Sequence, residues 1–417
     1  MRNKCKMNRF KNIPYLILVL ILCFSESLLS QEKPISIYGY LDLAGRDVSK
    51  KQFFNGATEN PPSTFMLLRT HILLNSHFYK NWKAFAIIRF QNGTFLGNES
   101  VENKGAFDLL EGWFEYRYDK WLRIRGGKFL APFGYYNTRK YNSPIFNSIL
   151  LPLMYEDEFL SQTSAGTIIP PEQNLGILGE FLIDNWAIGY NAYIGNGSDT
   201  DEHNYDVNNN KGIGFRIQVE PPVHNLTIGT SFYTEKSRFD IRPYLDMNAM
   251  MKKAAVTGQP VNTIIPILPN VNENETRKTF GFDLRYLIGN FKLRGEYVQS
   301  DITDVALIDA SNISDTLNTY AFDGSDFSKT FYFINLSYTF FDKLTPFFEL
   351  NVFEDPRHFV YRNTLHRYTL GTSFRPNSNI AIKIEYHIHQ FGDIYNKVPN
   401  NFKNYEMLWA AISVFFN

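Results

Sequence analysis

Residues 380–389 read Ile-Ala-Ile-Lys-Ile-Glu-Tyr-His-Ile-His. Ile380, Ile382, Ile384, Tyr386 and Ile388 fall on one side of an extended chain, and Lys383, Glu385, His387 and His389 on the other. Successive side chains of a strand point to opposite faces, so this segment is a half-buried strand; a helix would scatter the same residues around its circumference. The pattern recurs in 211–220, where Ile213, Phe215, Ile217 and Val219 oppose Arg216, Gln218 and Glu220. In 65–79 it sets Met66, Leu68, Ile72, Leu74 and Phe78 against Arg69, His71, Asn75 and His77.

Carried along the chain, the alternation predicts sixteen strands: 35–46, 64–79, 82–92, 107–118, 121–130, 174–183, 186–196, 211–220, 226–235, 278–287, 291–299, 329–340, 344–353, 364–375, 380–390 and 405–416. No linker or change of composition divides 31–417. Alternation alone would also suit a secreted β-sandwich, and the connections decide between the two. Short ones (Lys80-Asn81, Asp119-Lys120, Asp184-Asn185, Pro221–Asn225, Ile288–Asn290, Phe341–Lys343, Pro376–Asn379) alternate with long polar ones (47–63, 93–106, 131–173, 197–210, 236–277, 300–328, 354–363, 391–404). Short and long connections taking turns over an even number of strands describe an all-β, up-and-down transmembrane barrel. Closure removes the edge strands that hydrocarbon cannot solvate. Trp82, Trp121 and Trp186 each follow a short turn, where amphipathic rings sit at the headgroup level. Phe416 continues the phase of Leu408, Ala410, Ile412 and Val414 and serves as the terminal aromatic of the last strand.

Composition agrees with this reading. Aromatic residues make up 16% of the 417 residues, a heavy load for a soluble domain. Lys+Arg and Asp+Glu balance at 42 each, which excludes a nucleic-acid partner held by bulk charge. The one continuous apolar stretch, Ile13 to Phe24, is too short for a membrane-spanning helix. Five cations (Arg2, Lys4, Lys6, Arg9, Lys11) precede it and small residues follow, as in a secretory signal peptide, and cleavage is expected after Ser30, with Ser27 the second choice. Removing residues 1–30 takes five bases and one acid, leaving 37 against 41 and a formal charge of −4. Both cysteines, Cys5 and Cys23, go with it, so disulfides and thiol chemistry are excluded from residues 31–417.

If the apolar face meets lipid, the other face lines the lumen of an outer-membrane barrel. It carries thirteen cations, Arg69, Lys83, Arg89, Arg117, Arg123, Arg125, Arg216, Arg285, Lys292, Arg294, Arg367, Arg375 and Lys383. Eight acids accompany them, Glu111, Glu115, Glu180, Glu220, Asp283, Glu296, Glu349 and Glu385. A cationic wall inside a low-dielectric shell concentrates anions; the plainer alternative is that mixed charges pair and keep the lumen wet. The 131–173 connection is too long to be structureless, and its apolar middle, Pro144–Met154, favours folding inward. Its charges (Arg139, Lys140, Glu156, Asp157, Glu158) would then line a constriction, with the three acids facing Arg123 and Arg125. The 236–277 loop is a second candidate to enter the lumen.

The strand Arg123-Ile-Arg125-Gly-Gly127-Lys128-Phe129 and the following Leu-Ala-Pro132-Phe133-Gly134 resemble the segment that opens the third loop in porins of the phosphate-selective O/P type. Tyr190-Asn-Ala-Tyr-Ile-Gly195-Asn196-Gly197 is similar to that family's strand ending in an Asn-Gly turn. The resemblance implies a sixteen-stranded, typically trimeric channel with inward third and fifth loops. No dense arginine ladder aligns with the phosphate-selective members, so modest anion preference is expected rather than a dedicated phosphate filter.

Other chemistry is thinner. His387 and His389 share a strand face without a third ligand nearby, and the oxygen-rich loop Asp199–Asp206 lacks the glycine of an EF-hand. No Ser/His/acid set stands out, and no cofactor, metal or catalytic residue is expected. The expectation is a passive outer-membrane channel, bathed in lipid, forming a homotrimer, and passing small anionic or polar solutes such as phosphate or other oxyanions. The alternatives are a barrel-type surface adhesin or scaffold and an outer-membrane hydrolase.

Overall fold

The computed structural model describes residues 35–48, 63–90, 107–155, 173–197, 210–238, 274–303, 326–354, 364–391 and 404–416. The signal segment and most of the long connections, 236–277 beyond its first and last few residues among them, lie outside the described residues.

Sixteen strands form one closed antiparallel sheet in which every strand pairs with its neighbours in sequence. They are β1 (Ile35–Val48), β2 (Thr64–Tyr79), β3 (Trp82–Phe90), β4 (Phe107–Arg117), β5 (Arg123–Phe129), β6 (Gln173–Ile183), β7 (Trp186–Gly195) and β8 (Gly212–Glu220). β9 (Leu226–Arg238), β10 (Asn274–Ile288), β11 (Phe291–Thr303), β12 (Phe327–Tyr338), β13 (Leu344–Glu354), β14 (Thr364–Asn377), β15 (Ile380–Phe391) and β16 (Asn404–Phe416) complete the circle. β1 and β16 close it through a continuous register from Gly39↔Phe416 to Val48↔Met407. All sixteen predicted strands are present. The main boundary difference is at the long-loop end, where β9, β10 and β11 run several residues further than the alternation indicated.

The barrel is turned inside out relative to a soluble protein. Leu43, Ile177, Phe215, Phe282, Ile334, Leu370, Ile384 and Ile412 stand exposed on the outer surface, while Asp283, Glu296, Glu349, Arg367, Lys383 and Glu385 are buried within. A contiguous apolar exterior of this extent belongs in hydrocarbon. Trp82 packs among Phe78, Phe114 and Tyr116, and Trp121 and Trp186 are exposed beside the same turns, forming an aromatic band at the short-turn end.

One face assignment is corrected. Met66 and Leu68, expected on the lipid side, are buried inside the barrel. Asp42 pairs with Arg69 but Leu43 pairs with Leu67, so Leu68 is an extra residue in a β-bulge. The bulge reverses the phase. Below it Arg69 and His71 face in as expected; above it Met66 does.

β5 is the short strand of the barrel. Gly127 adopts φ +123°, and a Cβ there would stand 2.7 Å from Trp113 Cα, so only glycine fits. Between Gly126 and Phe129 the register with β6 slips, and the chain then leaves the wall for the interior.

Because the ladder closes on itself, SDS should not open the barrel until heat does. An unboiled sample is expected to migrate apart from a boiled one on a gel; identical mobility would contradict the closed sheet.

Candidate functional site in the barrel lumen

After Phe129 the chain turns at Gly134 (φ +63°), where a Cβ would press within 3.0 Å of Glu296 Oε2 and Tyr155 Oη. The segment then follows the inside of the wall, through 3-10 turns at Asn137–Ile145 and Leu153–Tyr155. Its apolar middle decides where it lies. Phe133, Tyr136, Phe146, Ile149, Leu150, Leu153, Met154 and Tyr155 are buried against wall residues Met66, Leu68, Phe331, Phe333, Leu365, Met407 and Trp409.

Burial of a backbone demands partners for its amides and carbonyls, and the wall charges supply them. Glu296 on β11 accepts from Tyr135 N (2.5 Å), Tyr136 N (2.8 Å) and the Tyr155 hydroxyl (2.5 Å). Glu385 on β15 accepts from Ile149 N and from Leu150 N (3.3 Å). Asn351 on β13 accepts from Leu153 N at 3.1 Å. In the opposite sense Arg69 donates to Ile149 O (2.8 Å), Lys383 to Ser148 O (3.1 Å) and Arg367 to Leu151 O (2.5 Å). Tyr40 donates to Tyr141 O at 2.6 Å. The loop is therefore fastened to β1, β2, β11, β13, β14 and β15.

This changes what several of the thirteen cations do. Arg367 and Lys383 are buried behind the loop and line no open lumen, because the loop itself covers them. Arg216 is also buried, in a bidentate pair with Asp283. Arg125 pairs with Glu115 at 2.7 Å, and its guanidinium lies 4.0 Å from the Trp113 ring centre, with Lys83 at 5.4 Å. Arg123 reaches Glu180 at 3.1 Å and Glu115 at 3.9 Å. The acids meeting Arg123 and Arg125 are thus wall acids; Glu156, Asp157 and Glu158 lie outside the described residues. Arg89 pairs with Asp108 at 3.0 Å. Arg117 is exposed at the turn-end rim opposite Arg123, Lys140 lies 5.2 Å from the Tyr141 ring, and Arg375 lies 5.9 Å from that of Phe415.

Arg139, Arg285, Lys292 and Arg294 behave differently. Among the described residues none of the four forms an ion pair with a carboxylate. Three of them converge on the half-buried ring of Tyr135, with guanidinium carbons 4.4 Å (Arg139), 5.5 Å (Arg285) and 6.0 Å (Arg294) from its centre.

Several inward charges escaped the sequence reading. Asp42 lies 3.6 Å from Arg69, Arg277 pairs with Glu235, and Arg46 and Lys329 are buried. Arg277 continues the inward phase of Asp283 and Thr279, and only the predicted start of its strand, four residues too late, kept it from being read. His387 contacts Glu385 at 3.0 Å and His389 stacks on Tyr405.

No protein-family model matches the chain, and no curated protein matches it in sequence. Solved structures do. The anion-selective porin from Comamonas acidovorans superposes with a TM-score of 0.57 at 13% identity, over 92% of this chain and 99% of that one. Salmonella typhi OmpF gives 0.54 at 12% identity, over 92% and 97%. A trimer form of OmpT, an outer membrane protein of Vibrio cholerae, gives 0.52 at 8% identity, over 92% and 99%. The chain shares the fold of outer-membrane porins. At these identities the likeness concerns the barrel and not individual side chains.

Hydrogen bonds to charged groups contribute about 1.5–3 kcal/mol each, so removing Glu296 and Glu385 together should release the loop. In E296A/E385A, protease is expected to cut within 139–155 while the heat-dependent gel shift persists. A loop as resistant as that of the unaltered protein would show that apolar packing alone holds it.

Proposed function

We propose that this protein is a passive outer-membrane diffusion channel for small hydrophilic solutes, with a modest preference for anions, phosphate and other oxyanions among them. The observation that carries this reading is an asymmetry of partners. Glu115, Asp283 and Glu349 are held by arginines, and Glu296 and Glu385 by the loop amides. Arg139, Arg285, Lys292 and Arg294 keep charge that no carboxylate neutralises at contact range among the described residues. In a narrowed lumen each such group favours an anion by an energy on the order of 1 kcal/mol, and arginine keeps its charge at any working pH.

The inward loop supplies the narrowing. It brings Arg139 toward the β10–β11 wall, so a permeating ion passes groups from two sides, in a space where screening is weaker than in bulk water. Two wall acids, Glu111 and Glu220, likewise meet only neutral donors among the described residues and oppose the cations, hence the modest preference. The anion-selective porin from Comamonas acidovorans shares the barrel, which is consistent with the reading. The trimer form of the Vibrio cholerae protein supports assembly as a homotrimer in outer-membrane lipid. On this reading the lumen performs no catalysis.

In planar bilayers under a KCl gradient at about 0.1 M, where the Debye length is about 10 Å, the reversal potential is expected to favour Cl⁻ and to lose that bias at high salt. A preference for K⁺ at low salt would overturn the reading. R123E/R125E leaves Glu115 and Glu180 beside two new acids and should shift the potential toward cations.

Deleting residues 139–158 should raise single-channel conductance in a barrel that still shows its heat-dependent gel shift. Unchanged conductance would remove the loop from the permeation path.

A further inference from the structure

In the β10–β11 register Arg285 sits directly opposite Arg294. Like charges facing each other across a ladder are destabilising. Lys292, one inward position further along β11, lies within electrostatic range of both, and Arg375 adds a further cation. Arg139 reaches the same place from the loop, on the Tyr135 ring that Arg285 and Arg294 also border.

The hydrogen bonds of the three arginines run to neutral oxygens. Arg139 donates to Tyr135 O at 3.0 Å, Arg285 to Thr227 Oγ1 at 3.1 Å and Arg294 to the Tyr136 hydroxyl at 3.2 Å. Arg294 Nε is buried without a partner. The nearby acids are already committed. Asp283 is held by Arg216, Glu296 by the loop amides, and Glu349 by Asn335, Asn351 and Arg367.

We infer that Arg139, Arg285, Lys292 and Arg294 form a binding site for a polyvalent oxyanion that bridges the inward loop to the β10–β11 wall. Guanidinium groups present paired N–H donors that match the oxygens of phosphate, sulfate or carboxylate. A ligand touching both loop and wall needs several acceptor oxygens, which chloride lacks. Such a ligand removes the like-charge repulsion and fastens the loop where its first turn leaves Glu296. Anything that binds this assembled state and not the opened one stabilises it by mass action. That stabilisation does not depend on conduction; only access of the oxyanion through the lumen rests on the channel reading.

The full-length barrel in detergent serves for the test, with sodium sulfate, inorganic phosphate and succinate as probes and KCl at matched ionic strength as the reference. Two readouts are followed, protease resistance within 139–155 and the midpoint temperature of the gel shift. Sulfate and phosphate are expected to raise both while KCl does not, and succinate tells whether two carboxylates suffice. Loss of one charge-assisted contact should raise the sulfate concentration required by about tenfold in R285Q and K292Q. R139Q alters only the loop and carries the same test if a wall variant fails to fold. Equal effects of sulfate and KCl, or unaltered sulfate dependence in all three variants, would overturn the site. An anion-favouring reversal potential without any sulfate effect would reject the bridge and leave the channel standing. A sulfate effect in a K⁺-preferring channel would do the reverse.

Discussion

Pairing of the backbone inside hydrocarbon governs this molecule. Each N–H and C=O that faces lipid has no water to turn to, so the sheet must return to its own first strand, and the β1–β16 register does so without a gap. Closure of the circle fixes the alternation of apolar and polar residues along every strand. It also explains why the departures from regular register, such as the bulge at Leu68 and the slip after Gly126, stay local. A bulge redirects side chains while the ladder on either side remains intact.

The same accounting recurs inside, with different partners. A loop drawn into the lumen by its apolar residues also buries amides and carbonyls, and it has no strand beside it to pair with. Wall side chains take the place of that missing strand. Glu296, Glu385 and Asn351 receive amides, and Arg69, Arg367 and Lys383 supply protons to carbonyls. Charges that look in sequence like the coat of an aqueous pore divide into those that hold the loop, those that pair with one another, and those that meet no carboxylate among the described residues. A count of cations against acids does not reveal this division, because it depends on which partner each charge meets.

Most of the architecture was legible in the residues. Period-two segments such as 380–389 need no tertiary information, because lipid on one side and water or protein on the other imprint the pattern directly. The inward course of the third long loop was legible from Phe146 to Met154, whose burial could be satisfied only indoors. What the pattern did not carry was phase across a bulge, which inverted Met66 and Leu68, and the matching of charges. Arg123 could be placed on the inner face, yet its partners, Glu115 and Glu180, follow from register between strands. Nothing in the sequence sets Tyr135 apart from other loop aromatics; the approach of Arg285 and Arg294 to its ring joins residues more than a hundred positions apart.

Separation along the chain has a consequence for how the protein is made. The amide of Ile149 waits for a carboxylate 236 residues further on, and that of Tyr135 for one 161 residues away. Contacts of such span form late, since chain closure must be achieved before they reward it. Until β11 and β15 are both in place, the apolar segment from Phe133 to Tyr155 has amides whose acceptors are still missing. A molecule in which this loop is fully docked has therefore already brought its last strands into register, since acceptors and donors that hold the loop come from β11, β13, β14 and β15.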